Sequence, residues 1–196
     1  LGKTQFILNI MISIWYFNVK NVHKALFNQL LQTVPVTVQK DIQTLRFFKD
    51  QQLKLVGRLL VEQFHKTKNL PFDWSNWRTN TQGKPYILNG SSFNTSHSGN
   101  LVAVAFASQD VGLDLELIEE RNIDPIIDHL HASEKRHITW SHNKTEAFYH
   151  IWTRKEAFIK AKGTGLLNSL HKDNCLSNEL YYNNKSWFLH SLSPIA

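Results

Sequence analysis

The chain reads as a mixed α/β protein, of α/β (α+β) class, and three observations carry that reading. Two stretches, Asp41 to Lys66 and Phe148 to Gly163, place apolar residues near helical spacing. Leu101 to Ala107 is an unbroken run of Leu, Val, Ala and Phe, the composition of a buried strand. Leu180-Tyr181-Tyr182 and Trp187-Phe188-Leu189 flank Asn183-Asn184, a hairpin signal. The 196 residues suit one compact domain or two small intimate lobes.

Composition narrows the class. Hydrophobic residues make up 42% of the chain and charged residues 19%, the balance of an ordinary soluble, folded protein. The one cysteine, Cys175, permits neither an internal disulfide nor a Cys/His zinc site. That fits a reducing compartment, and a cytoplasmic location is expected. A formal net charge of +6 favours anionic partners: nucleotides, nucleic acid, acidic proteins or anionic lipid.

Taken in order, Phe6 to Phe17 is strongly apolar but interrupted by Asn9 and Ser13. It is too short for a membrane span and lacks the basic lead and cleavage site of a signal peptide, so a buried first strand is expected. Val22, Leu26 and Leu30, with Ala25 and Phe27, suggest a short helix over Val22 to Leu31, broken by Pro35. The helix over Asp41 to Lys66 exposes Arg46, Lys49, Lys54 and Arg58, either as a solvated face or as a phosphate-collecting edge. Pro71, Trp74 and Trp77 mark an irregular connection. Gly83-Lys84-Pro85 is a turn that holds Lys84 on a stiff loop before Tyr86-Ile87-Leu88. After Leu101 to Ala107, Asp110 marks a turn and Val111 to Leu117 reads as a second strand. Ile126, Ile127 and Leu130 suggest a helical turn. Ser133 is the expected N-cap of a helix running toward Glu146, with a break over Trp140 to Thr145. The helix Phe148 to Gly163 ends on its glycine, with Gly165 just beyond.

Chemistry gathers in two places. On a strand, Asp114 and Glu116 share one face, with Leu113, Leu115 and Leu117 on the other, toward the core. Two such carboxylates repel unless a cation or a shared proton relieves them. Magnesium favours a few carboxylate oxygens with water and phosphate. Taken alone, the pair reads better as a polar face washed by solvent. On the last long helix, Trp152, Glu156 and Lys160 stand at i, i+4 and i+8 on one face. As structure, Glu156 and Lys160 amount to an ion pair of about 0.3–0.5 kcal/mol. Joined by Lys155, Lys84 and His97, the carboxylates Asp114, Glu116 and Glu156 supply the parts of a metal-assisted phosphoryl-group transfer. Lysines bind phosphate as point charges, and a carboxylate or histidine can take the proton of an attacking hydroxyl.

Four segments in order carry a resemblance: Gly83-Lys84-Pro85; Phe93-Asn94-Thr95-Ser96-His97-Ser98; Val111-Gly112-Leu113-Asp114-Leu115-Glu116; and Trp152 to Leu166, WTRKEAFIKAKGTGL. The chain resembles the surfactin-synthetase-type 4′-phosphopantetheinyl transferases over Asp41 to Leu166. The resemblance implies two similar lobes, residues 1–108 and 109–196, related by a pseudo-twofold axis, with coenzyme A in the cleft between them. It implies transfer of the phosphopantetheine arm of coenzyme A to a serine of an acidic acyl or peptidyl carrier protein, releasing adenosine 3′,5′-bisphosphate. Carried over by motif, Asp114, Glu116 and Glu156 hold magnesium, for which manganese can substitute. Glu156 is the candidate base, and Lys160 meets the pyrophosphate and the leaving group. Ser96, His97, Lys84 and Lys155 contact coenzyme A, His97 near the 3′-phosphate and Lys84 near the adenine ribose. Lys40, Arg46, Lys49 and Arg58 are further phosphate candidates, although the basic residues there match the family poorly. Relatives usually add an apolar strand beyond the position of Ala196, so a shortened, less stable and more aggregation-prone second lobe is expected. A monomer without membrane or nucleic-acid partners is expected. The alternatives are a degenerate coenzyme A-binding protein without activity and a basic nucleic-acid-binding protein.

Overall fold

The computed structural model describes residues 11–163 and 170–192. The chain opens with β1 (Ser13–Asn18), followed by three helices, α1 (Lys24–Leu31), α2 (Val36–Gln43) and α3 (Phe48–Thr67). A small hairpin, β2 (Trp77–Thr79) with β3 (Pro85–Ile87), precedes β4 (Ser92–Ser98) and β5 (Leu101–Ala107). The second half holds α4 (Asp124–Ile127), α5 (Ala132–Thr139), α6 (Lys144–Lys162) and a hairpin of β6 (Glu179–Tyr182) with β7 (Lys185–Phe188). The mixed α/β class expected from the sequence is the class observed. Among the described residues no helix is long and apolar enough to cross a membrane.

β5 is the centre of an antiparallel three-stranded sheet, between β1 and β4. Its residues alternate large and small, and strand geometry sorts them to two faces. Val102 packs into the cluster of Phe27, Ile42 and Leu55 under the first helices. Val104 and Phe106 join Val61, Phe64 and Phe93, with Phe64 stacked on Phe106 at 3.7 Å between ring centroids. Gly57 permits α3 to come this close, because a Cβ there would stand 3.2 Å from Val102 Cγ2. The opposite face carries alanines, and Ala105 and Ala107 pack against Val111 and Leu113. A small face is what lets the next segment lie flat on the sheet.

That segment corrects one expectation. Val111 to Leu117 belongs to no sheet. Its backbone N–H groups bond to side chains of β4 instead: Leu113 N to Asn94 Oδ1 (2.7 Å), Leu115 N to Ser96 Oγ (3.2 Å) and Leu117 N to Ser98 Oγ (2.9 Å). Asn94, Ser96 and Ser98 alternate along β4, so they point to one face. The segment therefore runs over the sheet, in the direction of β4, and keeps the two-residue period of a strand without a backbone ladder. Leu117 is exposed and takes no part in the core.

Other differences have local causes. The long helix expected from Asp41 begins at Phe48, because α2 ends at Thr44, whose hydroxyl donates to the Asp41 carbonyl (2.7 Å). α2 was invisible because Pro35 reads as a breaker, yet proline also suits the entry to a helix, where its missing N–H costs nothing. His131, not Ser133, caps α5: its Nδ1 accepts the Ser133 N–H while Glu134 Oε2 accepts the His131 N–H. α6 begins at Lys144, inside the expected break, since Asn143 Oδ1 accepts the Glu146 N–H (3.0 Å). Gly163 ends it in the left-handed conformation, φ +66°. Asn183 and Asn184, both at positive φ, turn the last hairpin as expected. Gly165, Leu166, the first part of the expected opening strand and residues 193–196 lie outside the described residues.

Candidate active site

A cavity of about 310 Å³ opens where β4, the extended segment and α6 meet. β4 contributes Thr95, Ser96 and His97; the segment contributes Asp114 and Glu116; α6 contributes Trp152, Glu156 and Lys160. The helical spacing placed the last three on one face, and all three border the cavity. A neighbouring cavity of about 260 Å³ shares Thr95, Glu156 and Lys160 and adds Lys84 and the Gly83 turn, where φ is +85°.

Gly112 brings the acids to the helix. A Cβ at this position would sit 1.9 Å from the Ala157 carbonyl oxygen and 2.5 Å from the Ala161 nitrogen, so only glycine lets the segment touch the α6 backbone. Two residues on, Asp114 is almost wholly buried. Its Oδ1 accepts from Lys160 Nζ (2.5 Å) and Ser96 Oγ (3.0 Å), while Oδ2 is buried with no hydrogen-bond partner among the described residues. Lys160 Nζ also donates to Ser96 Oγ (3.1 Å). Glu116 accepts from Ser98 Oγ (3.3 Å) and from Trp152 Nε1 (3.3 Å).

Electrostatics single out Glu156. Burial raises its carboxyl from 4.5 to about 7, and Asp114 and Glu116 push the same way against the Lys160 charge. A carboxyl in that range takes up or gives up a proton near neutrality. Burial also pushes the Lys84 ammonium down, with Asp110 opposing, and its Nζ donates to the Val111 carbonyl (3.0 Å). His97 is exposed at the cavity margin, its side chain turned to the opposite face of β4 from Ser96.

Lys155 departs from expectation. It is fully buried, its Nζ 3.0 Å from Glu134 Oε2 and 2.5 Å from the Asp173 carbonyl. Glu134 in turn accepts the Cys175 N–H (2.7 Å). One residue from Glu156, Lys155 points to a different side of the helix, into the core of the second half, where no ligand in either cavity meets it. Of the phosphate candidates near α3, Arg58 is bound to Asp41 (2.5 Å) and lies over the Trp77 ring; neither it nor Lys40, Arg46 or Lys49 borders the two cavities. Sequence reasoning missed Ser98 and Gly112. Both stand in the quoted motif segments: strand alternation with Ser96 points to the role of Ser98, whereas the role of Gly112 depends on the helix beside it.

The donor set suits a hard divalent cation in kind: three carboxylates, one with an unpartnered buried oxygen and one driven toward protonation by burial and by the other two. Among the described residues no three His, Cys, Asp or Glu side chains are gathered closely enough to hold an ion by themselves. Lys160 now stands as the cation of the acidic set.

Comparison with known proteins identifies relatives of the chain. Residues 21–109 match the family described as "4'-phosphopantetheinyl transferase, N-terminal", and residues 110–189 match the "4'-phosphopantetheinyl transferase superfamily". The chain is 31% identical over 186 residues to 4'-phosphopantetheinyl transferase gsp of Aneurinibacillus migulanus, covering 89% of this chain and 77% of that protein. It is 35% identical over 150 residues to 4'-phosphopantetheinyl transferase Sfp of Bacillus subtilis, covering 69% of this chain and 66% of that one. A putative 4'-phosphopantetheinyl transferase of Haemophilus influenzae is 32% identical over 128 residues, 60% of this chain and 48% of its own. The match thus spans between about half and three quarters of the length of these relatives.

Proposed function

This chain belongs to the 4′-phosphopantetheinyl transferase family, and on that premise we propose that it moves the 4′-phosphopantetheine arm of coenzyme A onto a serine of an acyl or peptidyl carrier protein. The observation that carries the reading is convergence: Asp114, Glu116, Glu156 and Lys160, drawn from two separate segments, border one cavity beside β4.

Each residue then has a task its environment supports. The serine oxygen of the carrier bonds to the inner phosphorus of the coenzyme A pyrophosphate, and the bond to adenosine 3′,5′-bisphosphate breaks. Glu156, at the border of the cavity beside Asp114 and Glu116, is the group that receives the hydroxyl proton. Lys160, 31% exposed and turned into both cavities, meets the charge that develops on the departing phosphate. Ser96 and His97 border the phosphates from β4, and Lys84 the neighbouring cavity toward the nucleotide. Asp114, Glu116 and Glu156 are the residues that would hold magnesium. Bound there, the ion supplies neutralisation of phosphate charge. Two lobes, 1–108 and 109–196, are part of the same reading.

The test is mass spectrometry of a purified apo-carrier protein incubated with this protein, coenzyme A and magnesium. Gain of one phosphopantetheine on the carrier serine is the expected result. Coenzyme A binding without any gain would leave a binding protein and refute transfer.

A further inference from the structure

Glu116 differs from Asp114 in how it is held. Among the described residues, no lysine, arginine or histidine nitrogen lies within ion-pair distance of it, whereas Asp114 is tied to Lys160. Both Glu116 oxygens are engaged, each by a neutral donor: Oε2 by Ser98 Oγ and Oε1 by Trp152 Nε1, both at 3.3 Å. The donors are themselves fixed. Ser98 Oγ accepts the Leu117 N–H (2.9 Å), which directs its own proton toward the carboxylate. Trp152 lies nearly parallel to Phe148, one turn earlier on α6, with centroids 5.8 Å apart and planes 16° from parallel.

Neutral donors orient a carboxylate without cancelling its charge. A lysine in either place would hold Glu116 equally well and would also neutralise it. Groups around a ligand that fix its direction commonly set metal affinity by ten- to a hundredfold. The register repeats the point: Ser96 serves Asp114 and Ser98 serves Glu116, two residues apart on each chain segment. We propose that Ser98 and Trp152 are positioning residues that hold the Glu116 carboxylate aimed for a divalent cation. This rests on the transferase reading above and extends it to two residues to which that reading gives no part in the chemical step.

The experiment is manganese titration of the full chain with coenzyme A present, free ion read by electron paramagnetic resonance, alongside the magnesium dependence of carrier loading. Ser98→Ala is expected to weaken manganese binding about tenfold or more, and Trp152→Phe, which keeps the ring against Phe148 and loses the N–H, by a similar factor. Ser98→Thr, which restores the hydroxyl, should bind manganese close to wild type. The magnesium needed for half-maximal loading should rise in step, while the KM for coenzyme A measured at saturating magnesium stays put. Wild-type manganese affinity in both Ser98→Ala and Trp152→Phe overturns the proposal, as does equal weakening in Ser98→Thr and Ser98→Ala. Manganese binding that follows the expected order while the wild-type protein loads no carrier at any magnesium concentration supports the positioning and refutes the transferase reading. A wild-type protein that binds no manganese overturns both.

Discussion

Replacing Glu156 by glutamine tests the electrostatics of the cavity without touching its shape. Burial and the two neighbouring acids hold this carboxyl at about 7, against an ordinary 4.5. That difference corresponds to roughly 3 kcal/mol at about 1.4 kcal/mol for each pH unit. The side chain is only part-buried, so screening and relaxation reduce the figure to about 1–2 kcal/mol. The sign follows from proton binding. A raised carboxyl holds more protons folded than unfolded between 4.5 and 7, so the wild type loses stability as pH rises through that window. Below 4.5 both states are protonated and the term vanishes. Glu156→Gln, which mimics the protonated form, should therefore match wild type near pH 4.5 and be more stable by about 1–2 kcal/mol near pH 8. For a chain of this size that is roughly 2–8 °C in Tm. Thermal unfolding across this range, in chelator so that no cation intervenes, measures the difference directly. A difference that does not change with pH, or a glutamine variant less stable near pH 8, would refute the account of Glu156. Carrier loading should be lost in the same variant.

Four other outcomes are expected. Asp114→Ala should abolish carrier loading, and so should chelator on the wild type; full activity in chelator would remove the cation from the mechanism. Lys160→Ala should collapse turnover, whereas Lys162→Ala should largely spare turnover and cost roughly 2–3 kcal/mol of stability, because Lys162 is buried against Asp173 (2.5 Å) and the Phe158 and Tyr182 rings; equal effects of the two on turnover would contradict the separation of faces. Gly112→Ala should destabilise by several kcal/mol and lose activity, since its Cβ would enter the α6 backbone; a normal melting curve would mean the segment can move aside. The KM for an acidic carrier should rise with salt, as a +6 chain loses its attraction when screening shortens to ~8 Å; a flat KM would exclude steering by charge.

Elements whose signal is local were legible from sequence. β5 announced itself because both its faces are covered, so every position is apolar, and the last hairpin because Asn183 and Asn184 tolerate positive φ. The segment Val111 to Leu117 shows what is not local. Its alternation is that of a strand, but the hydrogen bonds come from Asn94, Ser96 and Ser98 side chains, and nothing within the segment distinguishes a backbone ladder from a side-chain one. α2 escapes for a related reason: α1 already ends at Leu31, and the part Pro35 plays in opening α2 is written only in the residues after it.

The site divides along α6, and helical geometry explains where sequence reasoning held and where it failed. Trp152, Glu156 and Lys160 follow the four-residue period, share a face and border the cavity. Lys155 and Lys162 follow the same rule on another face, at i and i+7, and both side chains are directed away from the cavity-lining row. Lys155 was assigned to coenzyme A by its charge and its place beside Glu156 rather than by its face. In the fold it bonds the Asp173 carbonyl while Lys162 bonds the Asp173 carboxylate, so two lysines of one stripe clamp the same residue. Arg154, adjoining, bonds the carbonyls of Cys175 and Ser177. The motif therefore carries two kinds of cation. Lys160 is part-exposed, shared between a carboxylate and a hydroxyl, and available to phosphate. Arg154, Lys155 and Lys162 are buried and hold the stretch from Asp173 to Ser177 against the helix. Charge alone cannot separate these roles, but the helical phase of each residue relative to Glu156 does.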